Sequence, residues 1–237
     1  MVMTKPKAFI FDVFGTVVDW RNGVAAVCAK TFDEKNIDFD PHHFADLWRG
    51  EYQPAMERIR SGNRGYLPLD TLHLENLERV LNQVGLAGHF SNEEKIRLNT
   101  AWEKLPGWPD SARGLLQLKK KAIIAPCSNG SIALMTRIAK FSNLPWDCIV
   151  GAEIAQNYKP HRDAYLKSVA ALGFEPSDVM MVAAHNDDLH AAQENGLKTA
   201  FIPRVTEYGQ HQSKDLEPNG KWDAVVHSIG QLAEIEY

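Results

Sequence analysis

The chain has 237 residues, 44% of them hydrophobic and 24% charged, which suits one sizeable α/β domain or a core carrying a smaller insertion. A formal net charge of −4 argues against a nucleic-acid binder, whose footprint is a basic patch, but says nothing against a small anionic substrate in a cleft. The three cysteines, Cys28, Cys127 and Cys148, form no CxxC pair, so neither a zinc site nor a disulfide framework is expected.

Along the chain, short apolar runs mark buried strands at Ala8–Phe11, Ala122–Ala125, Val179–Ala183 and Lys198–Ile202, with a shorter fifth at Cys148–Val150. Helical stretches lie between them, at Ser131–Ser142, Ala164–Leu172 and Leu189–Asn195. This alternation predicts a Rossmann-like parallel sheet with helices on both faces. Residues 20–105 differ: they hold no convincing strand but several helical patterns, at Phe44–Arg60, Leu69–Val84 and Asn92–Leu105. They are expected to form a helical cap subdomain inserted into a core made of residues 1–19 and 106–237. No apolar run approaches the roughly 20 residues of a membrane span. The opening residues show no signal-peptide pattern, so a cytoplasmic protein without membrane or nucleic-acid partners is expected.

In open parallel sheets the ligand site lies outside the carboxyl ends of the strands. That rule selects residues 12–16, 126–131, 157–160 and 184–188. Asp12 alone reads as a turn former, yet Thr16 is placed to hydrogen-bond its carboxylate, and the Val13 and Phe14 N–H groups can face an anion. So held, the carboxylate can attack an electrophilic carbon. Ser128 and Asn129 open a helix, where either an N-cap or an anion site is possible. Lys159 beside Asp12 keeps that carboxylate ionised, with Tyr165 placed to orient the ammonium. Asp187 and Asp188 admit a metal-site reading or simple helix N-terminal charge, and His185 either packs or acts in catalysis.

These segments, with the helical insertion after the first, resemble the haloacid dehalogenase superfamily. Within it the chain resembles the L-2-haloacid (type II) dehalogenases through Phe11-Asp12-Val13-Phe14-Gly15-Thr16, Leu47-Trp48-Arg49, Cys127-Ser128-Asn129-Gly130-Ser131 and Tyr158-Lys159-Pro160. The resemblance implies hydrolysis of short (S)-2-haloacids to (R)-2-hydroxyacids through an ester on Asp12, without a cofactor or metal, in a homodimer. It assigns Thr16 and Lys159 to Asp12 and Tyr165 to their support. Ser128 and the Val13 and Phe14 N–H groups go to the substrate carboxylate, Arg49 and Asn129 to the halide, and Asp188 to the hydrolytic water. Phosphatases of the superfamily carry an acid two residues after the nucleophile, where this chain has Phe14, and a metal-binding Asp where it has Ala184. The chain also departs from the type II pattern, with Ala183-Ala184-His185 in place of Ser-Ser-Asn. His185 is therefore expected to orient the hydrolytic water or act as its base. A phosphatase or phosphonatase, and a non-catalytic binding protein on the same scaffold, are the alternatives.

Overall fold

The computed structural model describes residues 4–236. Six parallel strands form one sheet: β1 (Ala8–Phe11), β2 (Ile123–Ser128), β3 (Val150–Gly151), β4 (Val179–Ala183), β5 (Lys198–Phe201) and β6 (Ala224–Val225), in the order β3-β2-β1-β4-β5-β6. Eleven α-helices accompany them among the described residues. Five, α1 (Trp20–Lys35), α2 (Pro41–Gly50), α3 (Tyr52–Arg60), α4 (Leu69–Gln83) and α5 (Asn92–Asn99), fall within residues 20–105. The rest are α6 (Ser111–Lys119), α7 (Ile132–Ser142), α8 (Ala152–Ala155), α9 (Arg162–Ala171), α10 (Asn186–Glu194) and α11 (Ile229–Leu232).

The two-residue period of a strand sends alternate side chains to opposite faces. Phe9, Phe11, Met180 and Val182 pack with residues of α6, α7 and α11, whereas Ala8, Ile10, Val179, Met181 and Ala183 pack with residues of α9 and α10. Both faces are covered, so the strands need no polar side and read as unbroken apolar runs. The doubly covered parallel sheet expected from the sequence is the one observed.

The details differ where local chemistry overrides the apolar pattern. Strand β2 runs on through Pro126 to Ser128, further than its apolar run. The Ile124 N–H bonds the Asp147 carboxylate on the β3 side, and pairing with β3 begins only at Cys127, so the absent N–H of Pro126 costs no ladder bond. The expected strand at Cys148–Val150 is shifted to Val150–Gly151, and the two-residue β6 lies outside the apolar runs named from the sequence. The stretch Phe44–Arg60 is two helices, because Pro54 cannot continue a helix whose preceding turn includes Gly50. Helix α5 starts on a capping box, with Ser91 and Glu94 each accepting the other's N–H, and gives way to a 3₁₀ turn at Thr100–Glu103.

One apolar cluster runs without a break from the sheet into the helices of residues 20–105. Trp102 stands at its middle, 4.1 Å centroid to centroid from His73 and within 6.2 Å of Phe14, Trp20 and Trp48. Trp102→Ala removes the ring that touches all four. It is expected to cost about 3–5 kcal/mol in urea unfolding, whereas Ile132→Ala on the exposed flank of α7 changes stability by less than about 1 kcal/mol.

Candidate active site

Parallel pairing sets Phe11 level with Pro126 of β2 and Val182 of β4, so the segments leaving these strands emerge side by side. Asp12 follows β1 directly, its N–H bonded to the Val182 carbonyl, and is 7% exposed. Its carboxylate is held from three directions. Thr16 Oγ1 donates to Oδ2 at 2.8 Å, Lys159 Nζ donates to Oδ1 at 3.0 Å, and His185 Nδ1 stands 3.2 Å from Oδ2. Thr16 is itself fixed by the Ala184 N–H, which donates to its hydroxyl at 2.9 Å.

Lys159 is 5% exposed and bridges two carboxylates, since its ammonium also donates to Asp188 in the first turn of α10. The backbone around it is tied down from both sides. Asn129 Oδ1 accepts the Lys159 N–H at 2.7 Å, and Arg60 Nη1 donates to the Lys159 carbonyl at 2.9 Å. Tyr165 is fully buried and donates to Asp188 Oδ1 at 2.5 Å. Tyr165, expected to orient the ammonium, reaches Lys159 through the Asp188 carboxylate between them.

The electrostatics follow from this packing. Burial opposes the charge of Asp12, but the nearby Lys159 and His185 cations outweigh it and hold the carboxyl far below the usual range. Burial pushes Asp188 up; Lys159 opposes that, the charge of Asp12 adds to it, and the net position is above an ordinary aspartate. One ammonium serves two carboxylates, and Asp12 keeps the larger share. Lys159 itself is raised, because the two acids outweigh its own desolvation.

His185 stands between two carboxylates. Nε2 faces Glu207 at 2.9 Å from Oε2 and 3.1 Å from Oε1, while Nδ1 faces Asp12. Burial favours the neutral ring, but Glu207 and Asp12 raise it well above an ordinary histidine. Both ring nitrogens already face carboxylate partners. Glu207, 1% exposed, also accepts the Trp20 indole N–H at 2.8 Å. The apolar-run reading missed Glu207, which sits in the long loop after β5. The carboxyl-end rule extended to that strand would have reached it. Gly15 makes room for it: with φ +88°, a Cβ there would stand 2.1 Å from Glu207 Oε1.

Asp12, Arg49, Asn129, Lys159, His185 and Asp188 line a common cavity of about 380 Å³. A larger groove of about 790 Å³ between α1 and α5 gathers exposed lysines and glutamates and lies away from these groups. Val13, Phe14 and Ser128 are buried and are not among the side chains lining the Asp12 cavity; the Ser128 hydroxyl accepts the Gly130 N–H at 3.1 Å. Arg49 lies over three rings, Tyr52, Trp20 and Phe14, at 3.8, 5.3 and 5.7 Å from their centroids. Its Nη1 is buried with no hydrogen-bond partner, and burial together with the Arg49 charge holds His73 neutral nearby. A desolvated guanidinium with a free N–H and an apolar wall suits a weakly hydrated anion.

The model of the haloacid dehalogenase-like hydrolases matches residues 6–196. A solved defluorinating L-2-haloacid dehalogenase superposes with a TM-score of 0.95 at 45% identity, over 97% of this chain and 94% of that one. An (S)-2-haloacid dehalogenase of Pseudomonas fluorescens is 25% identical over 236 residues, 98% of this chain and 96% of its own. An L-2-haloacid dehalogenase of Xanthobacter autotrophicus, solved with chloropropionic acid covalently bound, shares the fold at a TM-score of 0.79 and 21% identity, over 97% of each chain. The chain is a haloacid dehalogenase-like hydrolase and belongs to the L-2-haloacid dehalogenase family.

Lys159→Met leaves Asp12 and Asp188 buried without their shared counter-ion. We expect a loss of about 3–5 kcal/mol at neutral pH by chemical denaturation. Without the ammonium Asp188 titrates still higher folded than unfolded, a cost that is present above its folded pKa and vanishes on protonation. The deficit against wild type should therefore shrink as pH falls from 7 towards 4; a constant deficit would contradict this account.

Proposed function

We propose that the protein hydrolyses short-chain (S)-2-haloacids to (R)-2-hydroxyacids and halide through an aspartyl ester on Asp12, without a metal ion. The observation that carries this reading is a nearly water-free, ionised Asp12 sharing one small cavity with Arg49, whose buried Nη1 has no hydrogen-bond partner.

In the first step a carboxylate oxygen of Asp12 attacks C2 from the side opposite the halogen. The C–O bond forms as the C–X bond breaks, the centre inverts, and the electron pair leaves with the halide. A carboxylate kept out of water is not blunted by its own hydration shell. Arg49 and Asn129 supply donors to the two negative charges involved, the substrate carboxylate and the departing halide. Ser128 and the N–H groups of Val13 and Phe14 remain the carboxylate anchors that the resemblance implies. Halide leaves as a stable anion, so the position two residues after the nucleophile needs no acid, and Phe14 can serve there as an apolar wall.

In the second step water adds to the ester carbonyl. Asp188, raised by burial, takes one water proton and passes it to the departing alkoxide oxygen. The other proton is released as Asp12 returns to a carboxylate. Residues 20–105 act in this scheme as a cap, because Arg49 of α2 and Gln53 and Arg60 of α3 face the cavity. Fluoroacetate belongs in the proposed substrate range because the 45%-identical relative is a defluorinating enzyme. The homodimer and the cytoplasmic location rest on resemblance to the family.

Halide release from chloroacetate, fluoroacetate and both enantiomers of 2-chloropropionate tests the reading. We expect turnover of the acetates and the (S) enantiomer, no effect of a chelator, and loss of at least about 10³-fold in Asp12→Asn. Phosphate-ester hydrolysis abolished by the chelator, with no halide released, would establish the phosphatase alternative.

A further inference from the structure

The two oxygens of Asp12 are held unequally. Oδ1 has one donor, Lys159, while Oδ2 has two, the Thr16 hydroxyl and the His185 ring. Behind His185 stands Glu207, buried, with both oxygens within 3.1 Å of Nε2 and anchored by Trp20. On the dehalogenase reading, Oδ1 is the oxygen freer to attack carbon, and Oδ2 becomes the carbonyl oxygen of the ester.

We propose that His185 and Thr16 form the oxyanion site for hydrolysis of that ester, and that Glu207 is the positioning residue that keeps His185 a cation aimed at Oδ2. When water adds to the carbonyl carbon, the π electrons move onto Oδ2. The negative charge then develops where an imidazolium N–H and a hydroxyl already point. Donors aimed at developing charge in a water-poor site are worth most in such a step. As the tetrahedral adduct collapses, the carbonyl re-forms at Oδ2, the bond from the carboxyl carbon to Oδ1 breaks, and the hydroxyacid leaves with Oδ1. His185 holds its proton throughout, so Asp188 remains free to handle the proton of water.

The groups facing His185 from the packed elements are Asp12 after β1, Glu207 and Tyr208 in the loop after β5, and Lys159 and Asp188 beyond Asp12. Arg49 of α2 lies near enough to Glu207 to feel its charge. Of these, Glu207 is the acid in contact with Nε2. Removing its charge while keeping its shape lowers the pH at which His185 deprotonates, so hydrolysis should fail earlier as pH rises.

The test is rapid-quench kinetics on (S)-2-chloropropionate with wild type, Glu207→Gln, Glu207→Asp and His185→Asn, following chloride release and the mass of the Asp12 adduct. Gln at 207 can still accept the Trp20 N–H, and thermal unfolding checks that the variants fold. In Glu207→Gln and His185→Asn the first burst of chloride should persist while ester breakdown slows on the order of 10²-fold, so that the adduct accumulates. The alkaline limb of ester breakdown in Glu207→Gln should move down by more than about one pH unit, with Glu207→Asp intermediate. Wild-type ester breakdown and pH profile in Glu207→Gln, or equal slowing of both steps, would overturn the assignment. Absence of any chloride from wild type would overturn the dehalogenase reading and this inference with it.

Discussion

The ammonium of Lys159, nearly sealed from water, lies between the carboxylates of Asp12 and Asp188, and the arrangement of the site follows from satisfying that triad. An isolated buried charge is too costly to keep, so each member survives only because the others are in place. The backbone around residue 159 is held by Asn129 from the β2 side and Arg60 from α3, so the ammonium is delivered by two parts of the chain at once. Asp188 is steadied by Tyr165, and Asp12 by Thr16, whose hydroxyl is fixed by the strand-end amide of Ala184. Asp12 is held below an ordinary aspartate and Asp188 above it, which suits the different tasks proposed for the two acids.

The second constraint is dryness. Phe14, Trp20, Tyr52 and Trp102 belong to the apolar cluster that joins the sheet to the inserted helices, and the first three also wall the guanidinium of Arg49. The packing that stabilises the fold thus also strips water from the site. Phe14, two residues after Asp12, is part of that same wall, so a position with no acid to donate a proton also packs against Arg49.

Much of this was legible in the sequence because it rests on local rules. Strands buried on both faces appear as apolar runs, and the carboxyl-end rule located Asp12, Lys159 and Asp188 without any contact information. The break between α2 and α3 went unread, because the apolar pattern runs across Pro54. The less legible parts depend on long-range geometry. Tyr165 could not be assigned to Asp188 rather than Lys159 from spacing alone, since both lie within reach of one helix turn. Glu207 sits 22 residues beyond His185 in a loop with no periodicity, and only folding reveals that it is buried against the ring. The pairing of both His185 ring nitrogens with carboxylates depends on that partner.

The central claim is covalent catalysis by Asp12, and oxygen tracing tests it most directly. In a single turnover of (S)-2-chloropropionate in ¹⁸O-water with enzyme in excess, the account predicts unlabelled 2-hydroxypropionate, its new oxygen drawn from Asp12. The heavy atom should appear in the peptide containing Asp12. Label entering the product directly in that first turnover, with Asp12 unlabelled, would contradict it.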